Sequence, residues 1–483
     1  MNNAIRRTAA LLAILLVALL ININFQQVIL ASDIRNKPGN QRTILDEYDR
    51  ERGPILVGSD PVARSIPTAD QYKYLRTYQN GPLFAPATGF YSALYGATGI
   101  ERTENSVLAG TSDLFFVDRI QQLLSGNDVK GGAVSLTLNA AAQQAAYSGM
   151  SGKIGSVTAI EPSTGAILAL VSTPSFDPNK LATHDLAASQ KEYERLEADP
   201  AKPLLNRPLV STNPPGSTFK LVTAAAALSS GQFNPETIVP GPATYQLPLS
   251  TKKLRNWQGS ACEPGGKLTL TRALAVSCNS AFAWLGNQLG SDAIRTQAEK
   301  FGFNNSFTVP MRAATSRYPT GMDAPQTAMS AIGQFSVTAT SLQMAMVAAA
   351  IGNTGVTMNP YLVKDIRGAD LQIVRTAQPS AFATALSPEN AAAEMNMMVA
   401  VVNSGTGSNA QIPGVLVGGK TGTAETSADR PAVAWFVAVA PADAPRVAVA
   451  VTVENAGGGA EVSGNTLAAP IARAVIEAVL NAQ

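Results

Sequence analysis

The sequence predicts an α+β fold over residues 151–483. Three observations carry this: apolar strand-like runs near both ends of that segment, a long helical stretch between them, and a tight turn within each strand group. At the near end, Ser156–Ile160 and Ala166–Ser172 are joined by Glu161-Pro162-Ser163-Thr164-Gly165 and read as a hairpin. At the far end, Val415–Val417, Ala432–Val439 and Val447–Val453 read as strands, with Pro441-Ala442-Asp443-Ala444-Pro445 between the last two. The helical stretch comprises Leu221–Leu228, Thr269–Leu289, Leu342–Ile351 and Glu389–Val402, and Leu467–Leu480 closes the chain as a helix. One sheet is therefore expected to join the two ends of the segment.

Before this domain the chain divides further. Residues 1–8, with Arg6 and Arg7, precede an apolar run over 9–31 that is diluted by Asn22, Asn24, Gln26 and Gln27. A helix of that length spans ~34 Å, enough to cross a bilayer. Arginines ahead of a first helix favour a cytoplasmic N-terminus, although Arg35 and Lys37 follow it. No clear small-x-small cleavage site is present, so the run reads as a retained anchor; a cleaved signal peptide is the competing reading. On either reading the rest of the chain lies outside the cytoplasm. Residues 32–150 are polar and broken by Gly and Pro, and read as a small, mostly irregular or β-containing module that holds the main domain off the membrane.

Composition narrows the chemistry. The 483 residues are 46% hydrophobic and 14% charged, with a net charge of +2, which gives no field suited to nucleic acid. His184 is the single histidine and reads as a loop residue before Asp185. One His and two cysteines do not readily make a zinc site, and no nucleophile-elbow motif supports a Ser-His-Asp triad. Any hydrolase or transferase chemistry must therefore find another base. Cys262 and Cys278 are either a disulfide, which an extracytoplasmic compartment favours, or two buried thiols.

Three short elements supply such a base. Pro214-Pro215-Gly216 stops the preceding structure, and Ser217-Thr218-Phe219-Lys220 leads into the apolar run Leu221–Leu228. If a helix starts near Ser217, Ser217 and Lys220 share a face, and the free N–H groups of the first turn face a developing oxyanion. A neutral lysine amine then activates serine without histidine. A serine with a lysine three later arises by chance ~1–2 times in such a length; Ser250-Thr251-Lys252-Lys253 is a decoy of this kind, in a polar loop with no apolar helix behind it. The second element is Ser277-Cys278-Asn279: a serine that relays a proton, and an asparagine that points the same way if the segment is extended and bonds a substrate amide. Read alone, it is as well explained as a turn. The third is Lys420-Thr421-Gly422-Thr423, placed after the strand Val415–Val417. Lys420 offers a fixed cation for a carboxylate, Thr421 and Thr423 share a strand face, Gly422 admits a ligand close to the backbone, and Thr423 N–H is a second oxyanion donor. Lys-Thr-Gly is expected by chance only ~0.1 times in this length.

At these residues the chain resembles the penicillin-binding protein and serine β-lactamase superfamily, whose three motifs share this order. Glu161-Pro162-Ser163-Thr164-Gly165, Asn213-Pro214-Pro215-Gly216, Ala331-Ile332-Gly333-Gln334, Ser341-Leu342-Gln343-Met344-Ala345 and Ala434-Trp435-Phe436 narrow the resemblance to class B penicillin-binding proteins. The resemblance covers residues 150–483 well and the earlier part loosely. The small module, the cysteine positions and the length look like the actinobacterial PbpA type, which acts in septal wall synthesis.

The resemblance implies a central antiparallel sheet flanked by helices plus an all-helical lobe, and a D,D-transpeptidase that cross-links peptidoglycan at the outer face of a bacterial membrane. It implies Ser217 as nucleophile, Lys220 as general base, Ser277 as proton shuttle, Asn279 as substrate orienter, Lys420, Thr421 and Thr423 as carboxylate holders, and the N–H groups of Ser217 and Thr423 as oxyanion hole. It implies stem peptides ending in D-Ala-D-Ala and β-lactams as ligands, septal wall-synthesis proteins as partners, and no metal or organic cofactor. Trp435 and Phe436 read as core packing. A D,D-carboxypeptidase, a serine β-lactamase and an idle β-lactam sensor or scaffold are the rival readings.

Overall fold

The computed structural model describes residues 3–25, 48–116, 130–257, 259–424, 432–454 and 463–482. A five-stranded antiparallel sheet forms the centre of the chain, in the order Gly418–Ala424, Val433–Ala440, Val447–Val453, Gly155–Ile160, Ile167–Thr173. The hairpin expected at its near end is present, with Val157 opposite Val171 and Ser156 opposite Ser172. Gly165 closes the turn at a φ of 83°, a backbone state open to glycine.

Both faces of this sheet are covered, and this explains why its strands are near-continuous apolar runs rather than alternating ones. Phe436, Ala438, Val449 and Val451 face the helices Ala140–Gly149 and Ala469–Asn481, packing with Ala142, Ala146, Ala472 and Val475. Trp435, Val437, Ala448 and Ala450 face the other way, into the larger core with the helix Ser341–Gly352. Trp435 and Phe436 are both fully buried. The all-helical lobe is built around Lys220–Ser229, whose residues are buried from Lys220 through Leu228.

A second sheet of six strands begins in the N-terminal module with Ile55–Val57, Asp60–Pro67, Tyr74–Tyr78 and Ala133–Leu136. Val363–Arg367 and Ile373–Thr376, from far along the chain, complete it. The helix Ala140–Gly149, in turn, covers the central sheet. Position 150 is thus no clean division: each side of it lends elements to the other's sheet. Inside the module, Glu101 is fully buried and accepts from Arg52 Nε and Arg76 Nε, each at 2.6 Å. Arg52 Nη1 also donates to Asn105 Oδ1 at 2.6 Å, and Arg76 Nη1 to Gly53 O at 2.8 Å. Burial alone would raise the Glu101 carboxyl; Arg76 and Arg52 outweigh it and hold the group below its ordinary range.

The structure corrects several expectations. The N-terminal helix runs Asn3–Asn24, so it starts before residue 9 and includes Arg6 and Arg7; residues 26–31 lie outside the described residues. It is the one helix among the described residues long and apolar enough to cross a membrane. Val415–Val417 is not a strand. Val415 makes only a bridge to Ile412, and the strand begins at Gly418. The helical stretch Thr269–Leu289 is two helices, Leu270–Ala275 and Asn279–Leu289, because Ser277 takes a φ of 58° that no helix accommodates.

Two buried carboxyls give opposite predictions. Glu101→Ala leaves two buried guanidinium groups without their anion and is expected to destabilise the chain by about 3–5 kcal/mol, read as a lowered unfolding midpoint. Glu394, on the helix Pro388–Ser404, is fully buried with neither carboxyl oxygen hydrogen-bonded among the described residues. Burial pushes its carboxyl well above the ordinary range. A raised carboxyl pKa supports the fold at low pH, and that support is lost as pH rises above the unfolded value. Glu394→Met should therefore raise the melting temperature more at pH 8 than at pH 5.

Candidate active site

Gly216–Phe219 forms a single 3₁₀ turn that runs into the helix Lys220–Ser229. Gly216 has a φ of 52°, and its N–H donates to Gly333 O at 3.0 Å. Gly333 must itself be glycine, since a Cβ there would stand 2.1 Å from Gly216 O. The approach to this turn is held from the side: Asn213 Nδ2 donates to Glu454 Oε1 at 3.2 Å, and Arg207 Nε lies 3.4 Å from Glu454 Oε2. Ser217 is half-buried, and its hydroxyl has no hydrogen-bond partner among the described residues.

Lys220, three residues on, is fully buried, and its amine makes no hydrogen bond to Ser217. Its Nζ stands 2.7 Å from Ser277 O, 2.8 Å from Asn279 Oδ1 and 3.3 Å from Ser277 Oγ. The positive φ of Ser277, between the two helices, turns both side chains onto the amine. Ser277 and Asn279 thus meet at one point without the extended backbone that the sequence suggested. The Cys262–Cys278 disulfide closes at this turn, with a Cα–Cα distance of 5.8 Å.

The third element is the strand Gly418–Ala424 itself. Lys420 is fully buried and donates to Ser277 Oγ and Thr421 O, both at 2.9 Å. The two lysines therefore converge on one hydroxyl from opposite walls. Desolvation, and then the nearby Lys420, push the Lys220 amine well below the usual lysine range. Desolvation brings Lys420 down to about 7. In the free chain Lys420 is thus a titrating amine near neutrality, where the sequence suggested a fixed cation.

Gly422 also differs from expectation. A Cβ there would stand 3.0 Å from Pro215 O and from Thr218 Cγ2, so the catalytic turn occupies the space it leaves. That approach sets Gly216 beside the Thr423 carbonyl, 3.1 Å from an added Cβ. The backbones of Ser217 and Thr423 are thereby brought together.

The structure gathers Ser217, Lys220, Ser277, Asn279, Lys420, Thr421, Gly422 and Thr423 in one cleft. His184 lies apart, in contact with Asp70 at 2.5 Å and packed against Tyr48 and Tyr72. Ser250–Lys253 belongs to a hairpin outside this set. Sequence reading missed Thr406, whose hydroxyl lies 2.7 Å from that of Thr421. It also missed Glu454 and Asn256. Their signals are faint: Thr406 between two glycines, and single polar residues at the ends of apolar runs. Among the described residues no group of His, Cys, Asp and Glu is arranged to hold a metal.

Residues 155–477 match the penicillin-binding protein transpeptidase domain, and residues 52–134 match the penicillin-binding protein A dimerisation domain. The chain belongs to the penicillin-binding protein transpeptidase family. It is 45% identical, over 99% of both chains, to the peptidoglycan D,D-transpeptidase PbpA of Mycolicibacterium smegmatis. It is 42% identical, over the full length of both, to PbpA of Mycobacterium tuberculosis. Among solved structures it resembles the ceftriaxone acyl-enzyme complex of M. tuberculosis penicillin-binding protein A, at a TM-score of 0.88, 42% identity, 90% of this chain and 100% of that one. The penicillin G acyl-enzyme of the same protein gives a TM-score of 0.86 over 89% of this chain and 100% of that one, again at 42% identity. Membership of this family fits a site that activates serine through lysine.

The depressed amines give this penicillin-binding protein a pH signature. A lysine serves as base only when neutral, and two lysines sharing Ser277 titrate as a pair. Acylation of Ser217 by a fluorescent penicillin, followed by stopped flow, should already be at its plateau near neutral pH, because Lys220 is held well below the ordinary lysine range, and should fall as pH rises above about 7, where Lys420 loses the proton that would meet the penicillin carboxylate. A rate that keeps climbing to pH 10 would mean that the amines keep their ordinary affinity for protons.

Proposed function

We propose that this chain is a peptidoglycan D,D-transpeptidase, anchored by its N-terminal helix with the catalytic domain outside the cytoplasm, and acting at the division septum. The observation that carries the reading is the convergence of Lys220 and Lys420 on Ser277 Oγ, with Lys220 three residues after a half-buried serine at a helix start. The D,D-transpeptidase names of the full-length relatives support it.

In this reading Ser217 Oγ attacks the carbonyl of the penultimate D-alanine of a stem peptide. Its proton passes to neutral Lys220. The tetrahedral oxyanion is held by the N–H groups of Ser217 and Thr423, in a setting where preorganised donors need no rearrangement. The C–N bond to the terminal D-alanine breaks, and the leaving amine takes its proton by way of Ser277. Thr421, Thr423 and protonated Lys420 hold the terminal carboxylate; an anion placed there raises the Lys420 amine again. Asn279 accepts from Lys220 with Oδ1 and donates to Arg255 O with Nδ2, leaving one N–H for the substrate amide. The amine of a neighbouring stem peptide then attacks the acyl-enzyme, which restores Ser217 and forms the cross-link. β-Lactams, which resemble the D-Ala-D-Ala end, acylate the same oxygen.

Intact-mass spectrometry of the detergent-solubilised chain with penicillin, beside Ser217→Ala, tests this. A long-lived adduct on wild type and none on the variant is the expected result. Rapid turnover without a lasting adduct would move the assignment to a β-lactamase, and no reaction of wild type would sink the nucleophile assignment.

A further inference from the structure

The hairpin that contains Lys253 reaches the second motif through its last residue, Arg255. Thr244–Gln246 and Lys253–Arg255 pair as an antiparallel hairpin, with Arg255 opposite Thr244. Arg255 O accepts from Asn279 Nδ2 at 3.1 Å, so the hairpin touches the second motif directly. Asn256 Oδ1 accepts from Ser280 N at 2.9 Å, and Asn256 Nδ2 donates to Pro242 O at 2.8 Å and to Ser260 O at 3.0 Å. The Cys262–Cys278 disulfide fastens the end of the loop to the same turn. Backbone, side chains and a covalent bond thus fix this segment against Asn279.

What the fixed segment presents is unpaired. Lys252, Lys253 and Arg255 are exposed, and none makes an ion pair among the described residues. No Asp or Glu occurs between Thr244 and Cys262. Trp257 is 63% exposed, with no aromatic partner among the described residues. A mobile loop bearing such residues would be an ordinary solvated surface. Here the backbone that carries an indole and three cations is tied to the second motif, which is how a built recognition surface differs from a charged loop. Arginine and lysine pair with carboxylates, and an indole face packs on aliphatic chain.

We propose that this hairpin is the acceptor subsite: it binds the carboxylates of the incoming stem peptide through Lys252, Lys253 and Arg255, and packs Trp257 on that peptide's aliphatic part. The proposal rests on the transpeptidase reading and adds to it which wall of the cleft receives the second substrate. A peptide lying there extends from Asn279 toward the hairpin, away from the strand Gly418–Ala424 proposed to hold the donor's carboxylate. Donor and acceptor therefore approach Ser217 from different sides.

The test uses the full chain in detergent, a thioester donor ending in D-alanine, and two synthetic stem tripeptides as acceptors. One tripeptide has free carboxylates, and in the other they are amidated. Transfer products are quantified by mass spectrometry and normalised to each protein's own rate of acylation by penicillin. In wild type the free-carboxylate peptide should be preferred, and the preference should weaken with added salt. The combined variant Lys252→Gln, Lys253→Gln, Arg255→Gln should lose about tenfold of that preference, the worth of a few exposed charge contacts. The charge-conserving Lys252→Arg, Lys253→Arg variant should keep it. Trp257→Ala should raise the acceptor concentration needed for half-maximal transfer with both peptides, and Trp257→Phe should restore part of it. An unchanged preference in the triple-Gln variant would overturn the hairpin assignment alone. A wild type that only hydrolyses the donor, with neither peptide accepted, would overturn the transpeptidase reading and the subsite with it.

Discussion

Two amines are buried against one hydroxyl, and much of the rest of the chain is arranged to make that possible. An ammonium group is costly to remove from water, and a protein interior answers by releasing the proton instead. Lys220 and Lys420 come from different parts of the chain, the core helix of the helical lobe and the outermost strand of the central sheet. They meet only because both elements are held rigidly. The helix is buried along almost its whole length, and the strand is backed by Val433–Ala440 and by Pro388–Ser404. One serine hydroxyl, Ser277 Oγ, is thus shared by two amines with no histidine among them.

The small residues around the site serve this meeting. Gly216, Gly333 and Gly422 sit where any Cβ would press on the backbone of a neighbouring element or on Thr218. Their absence of side chain lets the catalytic turn lie directly on the motif strand and on the 331–334 turn. Accessible surface is then confined to the groups that need it: Ser217, Ser277, Asn279 and Thr423 are partly exposed, whereas Lys220 and Lys420 are sealed beneath.

The N-terminal module solves a different problem in a related way. Its buried anion, Glu101, is shared by two arginines whose Nη1 groups reach Asn105 and the Gly53 carbonyl. Such a cluster specifies one arrangement of strands, because any other leaves a buried charge alone. The module's sheet is then completed by Val363–Arg367 and Ile373–Thr376 from the catalytic region. The two parts of the chain are thus joined through a continuous sheet.

Much of this was present in the sequence. Local patterns determined the hairpin Gly155–Ile160 to Ile167–Thr173, the helix after Lys220, the anchor-like first helix and the three short motifs that the fold brings together. Each of these rests on neighbours within a few positions, where period and residue type suffice. What depended on distant contacts could not be read there. The strand that carries Lys420 starts at Gly418 rather than Val415, because its pairing with Val433–Ala440 decides where the ladder begins. The break at Ser277 depends on a backbone state that side-chain pattern does not announce. Gly422 looked like room for a ligand and is room for Pro215 and Thr218. Lys420 looked like a fixed cation, and burial makes it a titrating amine. By itself the sequence determined which groups are available for chemistry; tertiary structure alone decided their protonation and their partners, because both follow from which distant atoms displace water around them.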